Sequence, residues 1–180
     1  MVPKLKKDLI DLASESNGGR TLLASDEFFA PIENLLKPGR GEFISDKYTD
    51  RGKWMDGWES RRKRTAGHDW CILRLGKPGV IKELDIDTNH FVGNFPSHAS
   101  VDACQVPPFT ALGEIMNEVK WTEILSRVEL HGDSQNQFAI HDDESFTHLR
   151  LNIYPDGGVA RFRVYGHPED SVDDSSSFTD

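Results

Sequence analysis

The chain has 180 residues and a formal net charge of -9. That length suits one domain around a single core, and the acidic balance opposes binding to phosphate backbones or anionic lipid surfaces unless basic residues are strongly segregated. No apolar run approaches the roughly 20 residues that cross a bilayer, and the opening MVPKLKKDLIDLASES lacks the apolar core of a secretory signal, so a soluble, cytoplasmic protein is expected.

Taken in order, residues 4 to 13 set Leu5, Leu9, Ile10 and Leu12 largely on one side of a short helix, which Asn17-Gly18-Gly19 would stop. A short strand at Thr21 to Ala24 follows. The next loop carries Phe28, Phe29, Ile32, Leu35 and Leu36, which need a core to cover them, and ends in a turn at Pro38 to Gly41. Residues 52 to 70 then gather Trp54, Trp58 and Trp70 among dense charge. Between 51 and 64 six cations face Asp56 and Glu59, a local +4 that leaves -13 elsewhere. SRRKR alone looks like a nucleic-acid or nuclear-localisation tag, but a small basic patch on an acidic chain suits a small anion better than a duplex. Neither nucleic acid nor a membrane is expected as a partner.

From here the pattern is β-rich. WCILRL (70 to 75) reads as a strand, Gly76-Lys77-Pro78-Gly79 as a tight turn, and 80 to 91 as the returning strand of a hairpin, with Leu84 and Ile86 on one face and Asp85 and Asp87 on the other. SVDACQV (100 to 106) predicts a further strand, and 107 to 119 has near-helical spacing of Phe109, Leu112, Ile115, Met116 and Val119, with a loop fitting nearly as well. In FTHLRLNIY (146 to 154), Thr147, Leu149, Leu151 and Ile153 form the expected core face and alternate with Phe146, His148, Arg150, Asn152 and Tyr154. Pro155 to Gly158 predicts a turn, and the returning run places Ala160, Phe162 and Val164 opposite Arg161, Arg163 and Tyr165. This second hairpin would keep His148, Arg150, Arg161 and Arg163 out of the core. Cys71 and Cys104 lack zinc-site spacing and read as buried thiols of a reducing compartment. The acidic, serine-rich run from His167 reads as a disordered tail. The expected organisation is a helix and lead-in over 1–19, a folded domain over 20–166 and a tail over 167–180. The fold class is all-β, an antiparallel β-sandwich of jelly-roll type with one or two short helices.

No Gly-rich phosphate loop, HExxH pair, CxxC pair or GxSxG elbow is present. What remains are polar clusters: Asp56, Glu59, Arg61 and Arg62; His68 and Asp69; Asp87, His90 and Asn94; His148, Arg150 and Asp156. Arginines beside carboxylates and histidines can hold an anionic substrate by bidentate contacts and move a proton nearby. Each histidine taken alone is as readily hydrogen-bonded scaffold, and Arg161 and Arg163 equally suit a solvated sheet face.

Three long motifs, KWMDGWESRRKRTAGHDWCILRLGKPGVI, DIDTNHFVGNFP and THLRLNIYPDGGVARFRVYG, in this order resemble the allantoicase family, and DLASESNGG and ASDEFFAPIENLL resemble its amino-terminal repeat. The resemblance spans roughly residues 11 to 166. It implies a galactose-binding-like jelly roll and a hydrolase of purine and allantoin catabolism that splits allantoate into ureidoglycolate and urea. Allantoate has one carboxylate and two ureido groups on a single carbon. On that footing Arg61 or Arg62, with Arg150, would bind the carboxylate; Glu59 or Asp87 would act as general base; His90 or His148 would protonate the departing urea; and Asn94 would donate to a ureido oxygen. No metal ligands are assigned, and a divalent cation stays open. The family carries two repeats in tandem whereas this chain matches one, so a homo-oligomer or a second repeat is the expected partner. The alternative is a catalytically weak or inactive single-repeat relative that acts as a small-ligand-binding β-sandwich.

Overall fold

The structure, a computed structural model, describes residues 8–169. Twelve strands run in the order β1 (Ile10–Asp11), β2 (Arg20–Ala24), β3 (Tyr48–Thr49), β4 (Gly52–Lys53), β5 (Trp58–Glu59), β6 (Asp69–Asp87), β7 (His98–Cys104), β8 (Thr122–Glu129), β9 (Gln135–Ala139), β10 (Ser145–Tyr154), β11 (Gly158–Val159) and β12 (Arg161–Pro168). One α-helix, α1 (Leu112–Asn117), and 3-10 turns at Glu15–Asn17 and Ile32–Leu36 complete the elements. All strand pairs are antiparallel, and the sandwich expected from the sequence is present.

The 19-residue β6 is the spine. Residues 71–74 lie between β10 and β2, and residues 83–87 lie between β12 and β9. One layer is therefore β8-β7-β10-β6-β2 and the other β1-β12-β6-β9, with the strand passing from the first to the second. The expected hairpin turn at 76–79 is absent. Gly76 and Gly79 instead let other backbones come close: a Cβ at Gly76 would stand 2.1 Å from the Asn17 carbonyl oxygen, and one at Gly79 would stand 2.3 Å from that of His167. With Leu12 accepting from Gly76 N–H and Pro78 from Glu169 N–H, the segment is locked as strand rather than turn.

The second expected hairpin also differs. β10 and β12 do not pair; each flanks a different half of β6. After Pro155 the chain is captured by β5, with Gly158 opposite Glu59 and Val159 opposite Trp58. Thr147, expected on the core face, instead accepts from Val106 N–H and donates to the Cys104 carbonyl, and His148, expected outside, is buried. From Leu149 onward the face assignments hold for the core, where Leu149, Leu151 and Ile153 of β10 meet Phe162 and Val164 of β12, with Cys71, Leu73, Leu84 and Ile86 of β6 and Trp58. Phe146 joins them because the β10–β6 register shifts between Phe146 and His148.

Three further expectations change. The helix over 4–13 extends beyond the described residues, and the described part contains strand β1, paired with β12 through Ile10 and Asp11. A helix of so few residues is marginal by itself, and an open strand edge supplies the backbone partners instead. Arg161, placed by alternation on an outer face, is 3% exposed. β12 runs to Pro168, and the rest of the predicted tail lies outside the described residues. The helical spacing near 112 does yield α1, which seats Ile115 against Ile72, Cys104 and Val106 on the outer face of the β10 layer. Cys71 and Cys104 are free and buried. Among the described residues no helix is long and apolar enough to cross a membrane.

Candidate functional site

Four loops converge at one end of the sandwich: 25–30, 56–63, 88–97 and 155–160. Backbone bonds knit them together. Phe29 and Ala30 donate N–H to the Glu59 carbonyl, Glu59 returns one to Ala30, Gly158 donates to Asn94, and Ser60 donates to Gly157. Glycine is required here: Gly157 has φ +130, and a Cβ on Gly158 would lie 2.0 Å from the Phe91 ring. Trp58, fully buried, donates its indole N–H to the Asp26 carbonyl at 2.8 Å. The consequence is a rigid base beneath Glu59.

Glu59 is half-buried and accepts a hydrogen bond from Asn94 Nδ2 at 3.0 Å. Burial pushes its carboxyl up, and the Asn94 bond only partly opposes this. In the adjoining 25–30 loop, Asp26 accepts from the backbone N–H of Phe28 (2.9 Å) and of Arg61 (3.0 Å) and from Arg61 Nε (2.8 Å). Burial works against the Asp26 charge, but these donors hold its carboxyl below the ordinary aspartate value. Arg62 is exposed. Lys63 donates its backbone N–H to Asp156 and points its ammonium at Asp69, 3.5 Å away.

The remaining candidates separate. Asp87 is buried and doubly held by Arg40, through Nε at 2.9 Å and Nη2 at 3.0 Å, and it also accepts from Asn89 N–H. His90, on the loop that carries Asn94, has φ 69, donates its N–H to Asp133 and packs its ring on Phe43. Arg150 lies on the outer face of β10, where Nε and Nη2 both bond Asp102 Oδ2. It lines a recess of about 360 Å³ with His68, Trp70, Ser100, Glu123, Asn152 and Tyr154. His148 borders a wider groove of about 850 Å³ with Arg74, Leu22 and Ile115. Its imidazole is pulled down by burial and then by Arg74. So Glu59 and Asn94 touch, Arg61 is held by Asp26 to the 25–30 loop that bonds the Glu59 backbone, and His148 and Arg150 face elsewhere.

Sequence reasoning missed Asp26 and Asp102. The 98–104 alternation puts Asp102 on the face of Ser100, opposite Val101 and Ala103, which was a usable signal for Asp102. Asp26 carried none, since it stands in a loop 35 residues from Arg61. Among the described residues no group of three or more His, Cys, Asp or Glu side chains is arranged to hold a metal ion.

A family model described as the allantoicase repeat matches residues 10–169. A probable allantoicase 1 from Burkholderia mallei is 50% identical over 167 residues, which is 93% of this chain and 48% of that protein. A solved allantoicase structure superposes with a TM-score of 0.80 at 31% identity, covering 91% of this chain and 50% of that one. A carbohydrate-binding module, CBM32-3 of a Clostridium perfringens family 31 glycoside hydrolase, matches with a TM-score of 0.61 at 13% identity over 93% of this chain and 100% of that one, a likeness of fold alone. The chain thus spans about half the length of the allantoicases it matches.

Proposed function

This chain belongs to the allantoicase family, and we propose that it supplies a catalytic repeat of an allantoate amidinohydrolase, releasing urea and leaving ureidoglycolate. One observation carries the reading: a half-buried carboxyl, Glu59, with its affinity for protons raised by burial, held by an amide and two residues before an arginine that Asp26 anchors. A base works best when its pKa approaches the ambient pH, and burial moves a carboxyl that way. In this scheme Arg61 or Arg62 holds the substrate carboxylate and Asn94 donates to a ureido oxygen. Glu59 takes a proton from the attacking water, whose oxygen bonds the central carbon. The bond from that carbon to one ureido nitrogen breaks, and the nitrogen takes a proton to leave as urea. His90, on the same loop as Asn94, is the candidate acid. Asp87 is already engaged by Arg40 and is the weaker candidate for base. Charged donors aimed at the substrate and a positioned base would supply orientation and charge stabilisation together.

The matched half-length supports a functional unit in which this repeat works with a second one, in a homo-oligomer or a longer chain. Two buried free thiols suit a reducing cytoplasm. The recess around Arg150 favours a second reading, a small-ligand-binding β-sandwich of little or no activity.

Urea release from allantoate, read by a coupled urease assay alongside native mass, decides between them. Glu59→Gln and His90→Asn are expected to lower turnover about 10²–10⁴-fold with folding intact. Wild-type turnover in both variants overturns the assignments, and no urea in any oligomeric state leaves the binding reading.

A further inference from the structure

The loop before Glu59 holds an arrangement that the resemblance does not explain. Two guanidinium groups lie over one aromatic ring: Arg51 Cζ is 4.4 Å and Arg61 Cζ is 5.0 Å from the centroid of Phe28. Arg51 Nη1 donates to the Phe28 carbonyl at 3.2 Å, so side chain and ring are fixed together. On the other side Asp26 takes the backbone N–H of Phe28 and both the N–H and Nε of Arg61. Both cations thus sit within 5.0 Å of one ring centre, and among the described residues Asp26, on Arg61, is the one carboxylate bonded to either of them. The Glu27 carboxyl is pushed up by burial, by Glu33 and by Asp26, so it stands among acids. Among the described residues Arg51 Nε and Nη2 and both Arg61 Nη atoms have no protein partner. The cluster is joined to Glu59 by the bonds from Phe29 and Ala30.

We propose that Arg51 and Arg61 form a two-guanidinium clamp for a carboxylate, with Phe28 and Asp26 as its positioning residues. Resting on the catalytic reading above, this clamp is where the carboxylate of the substrate binds. The chemistry favours these two over the other candidates. Arg62 makes no ring or carboxylate contact among the described residues, whereas Arg150 spends Nε and Nη2 on Asp102 and lays its face over Trp121. A planar carboxylate offers two oxygens to two planar donor forks, a match that an ammonium cannot reproduce. The ring fixes both forks before the ligand arrives, so less freedom is lost on binding. Arg51 lies outside the GWESRR motif, in the turn between β3 and β4, and only the fold brings it to the ring that Arg61 also covers.

The test uses the full chain carrying Glu59→Gln, which keeps the ligand intact, and titrates it calorimetrically with allantoate and with the neutral carboxamide of allantoate. The background chain is expected to prefer the carboxylate by at least about tenfold, the factor one charge-assisted hydrogen bond supplies. Arg51→Met and Arg61→Met each erase that preference. Arg51→Lys, which keeps the charge but not the fork, loses most of it. Phe28→Leu weakens the carboxylate and leaves carboxamide affinity unchanged, which a general loss of folding would not do. Arg51 is exposed, so its substitution leaves the core untouched. An unchanged preference in Arg51→Met, or a preference lost only in Arg150→Met, overturns the clamp. If carboxylate preference follows Arg51 and Arg61 while the unsubstituted chain releases no urea, the clamp stands and the catalytic reading falls. If urea is released but the preference ignores both arginines, the reverse holds.

Discussion

Replacing Arg161 by Met removes the most heavily engaged cation among the described residues. Its side chain is 4% exposed and that of its partner Asp56 is 11% exposed. Nη1 and Nη2 bond Oδ1 and Oδ2 of Asp56 at 2.9 Å each, and further bonds reach the carbonyls of Gly39, Asp56 and Ala160. Methionine fills much of the same volume, so cavity formation is a minor part of the loss. What is left behind is a poorly hydrated carboxylate with one donor, the Glu42 N–H, and carbonyls without their guanidinium. Stranding one partner of a buried pair costs about 3–5 kcal/mol, a large share of the roughly 5–15 kcal/mol that holds a domain together. Urea unfolding followed by tryptophan fluorescence measures it. Adding Asp56→Asn removes the stranded charge, so the double variant should be more stable than the sum of the two single losses by about 1–3 kcal/mol. The pH dependence has a defined sign. Burial opposes the Asp56 charge, but Arg161 and then the Glu42 N–H hold its carboxyl below the ordinary value. The pair therefore stabilises fully above about pH 4, and its contribution fades as the pH falls through the lowered folded value. The gap between wild type and Arg161→Met should close in acid. A loss under about 1 kcal/mol at neutral pH, the size of an exposed pair, would refute the reasoning and return Arg161 to a solvated face.

Other measurements follow from the same physics. Glu59 has its folded carboxyl raised by burial, so its favourable contribution exists at low pH and is lost as the pH rises through that folded value. Glu59→Gln should unfold at higher urea than wild type at pH 7 and at a similar midpoint near pH 4, the reverse of an ordinary loss of contacts. His148 is pulled below its ordinary value by burial and by Arg74. Its neutral form favours the fold above about pH 6.5 and that support drains away below it, so His148→Gln should flatten the fall in urea midpoint between pH 7 and pH 5. Burial pushes both thiols up, Cys104 to about 11. A disulfide reagent at pH 8 should therefore label neither cysteine in the native chain and both once the chain is unfolded; rapid native labelling would contradict their burial.

Much of this protein is legible along the chain because its cause is local. The alternation in Leu149, Leu151 and Ile153 names the buried face of β10 without any structure, since a strand presents successive side chains to opposite sides. Glu59, Asn94 and Arg61 were likewise picked out by residue chemistry and motif, and the fold brings Glu59 into contact with Asn94 and links Arg61 to the same loops through Asp26. Other features depend on partners distant in sequence. Gly76-Lys77-Pro78-Gly79 has the composition of a turn, but the backbones of Asn17, Leu12 and His167 close in on it, and β6 runs straight through. Arg161 has the alternation of a surface residue, but Asp56, 105 residues earlier, turns it into a buried ion pair. The same holds for Arg51 and Arg61 over Phe28. The sequence by itself determined the fold class, the core face of the central strands and the residue types available for chemistry, because these follow from local periodicity and composition. Only the tertiary structure decided which charges are buried, which are spent on each other and which remain open to a ligand, because those depend on pairings that no local pattern encodes.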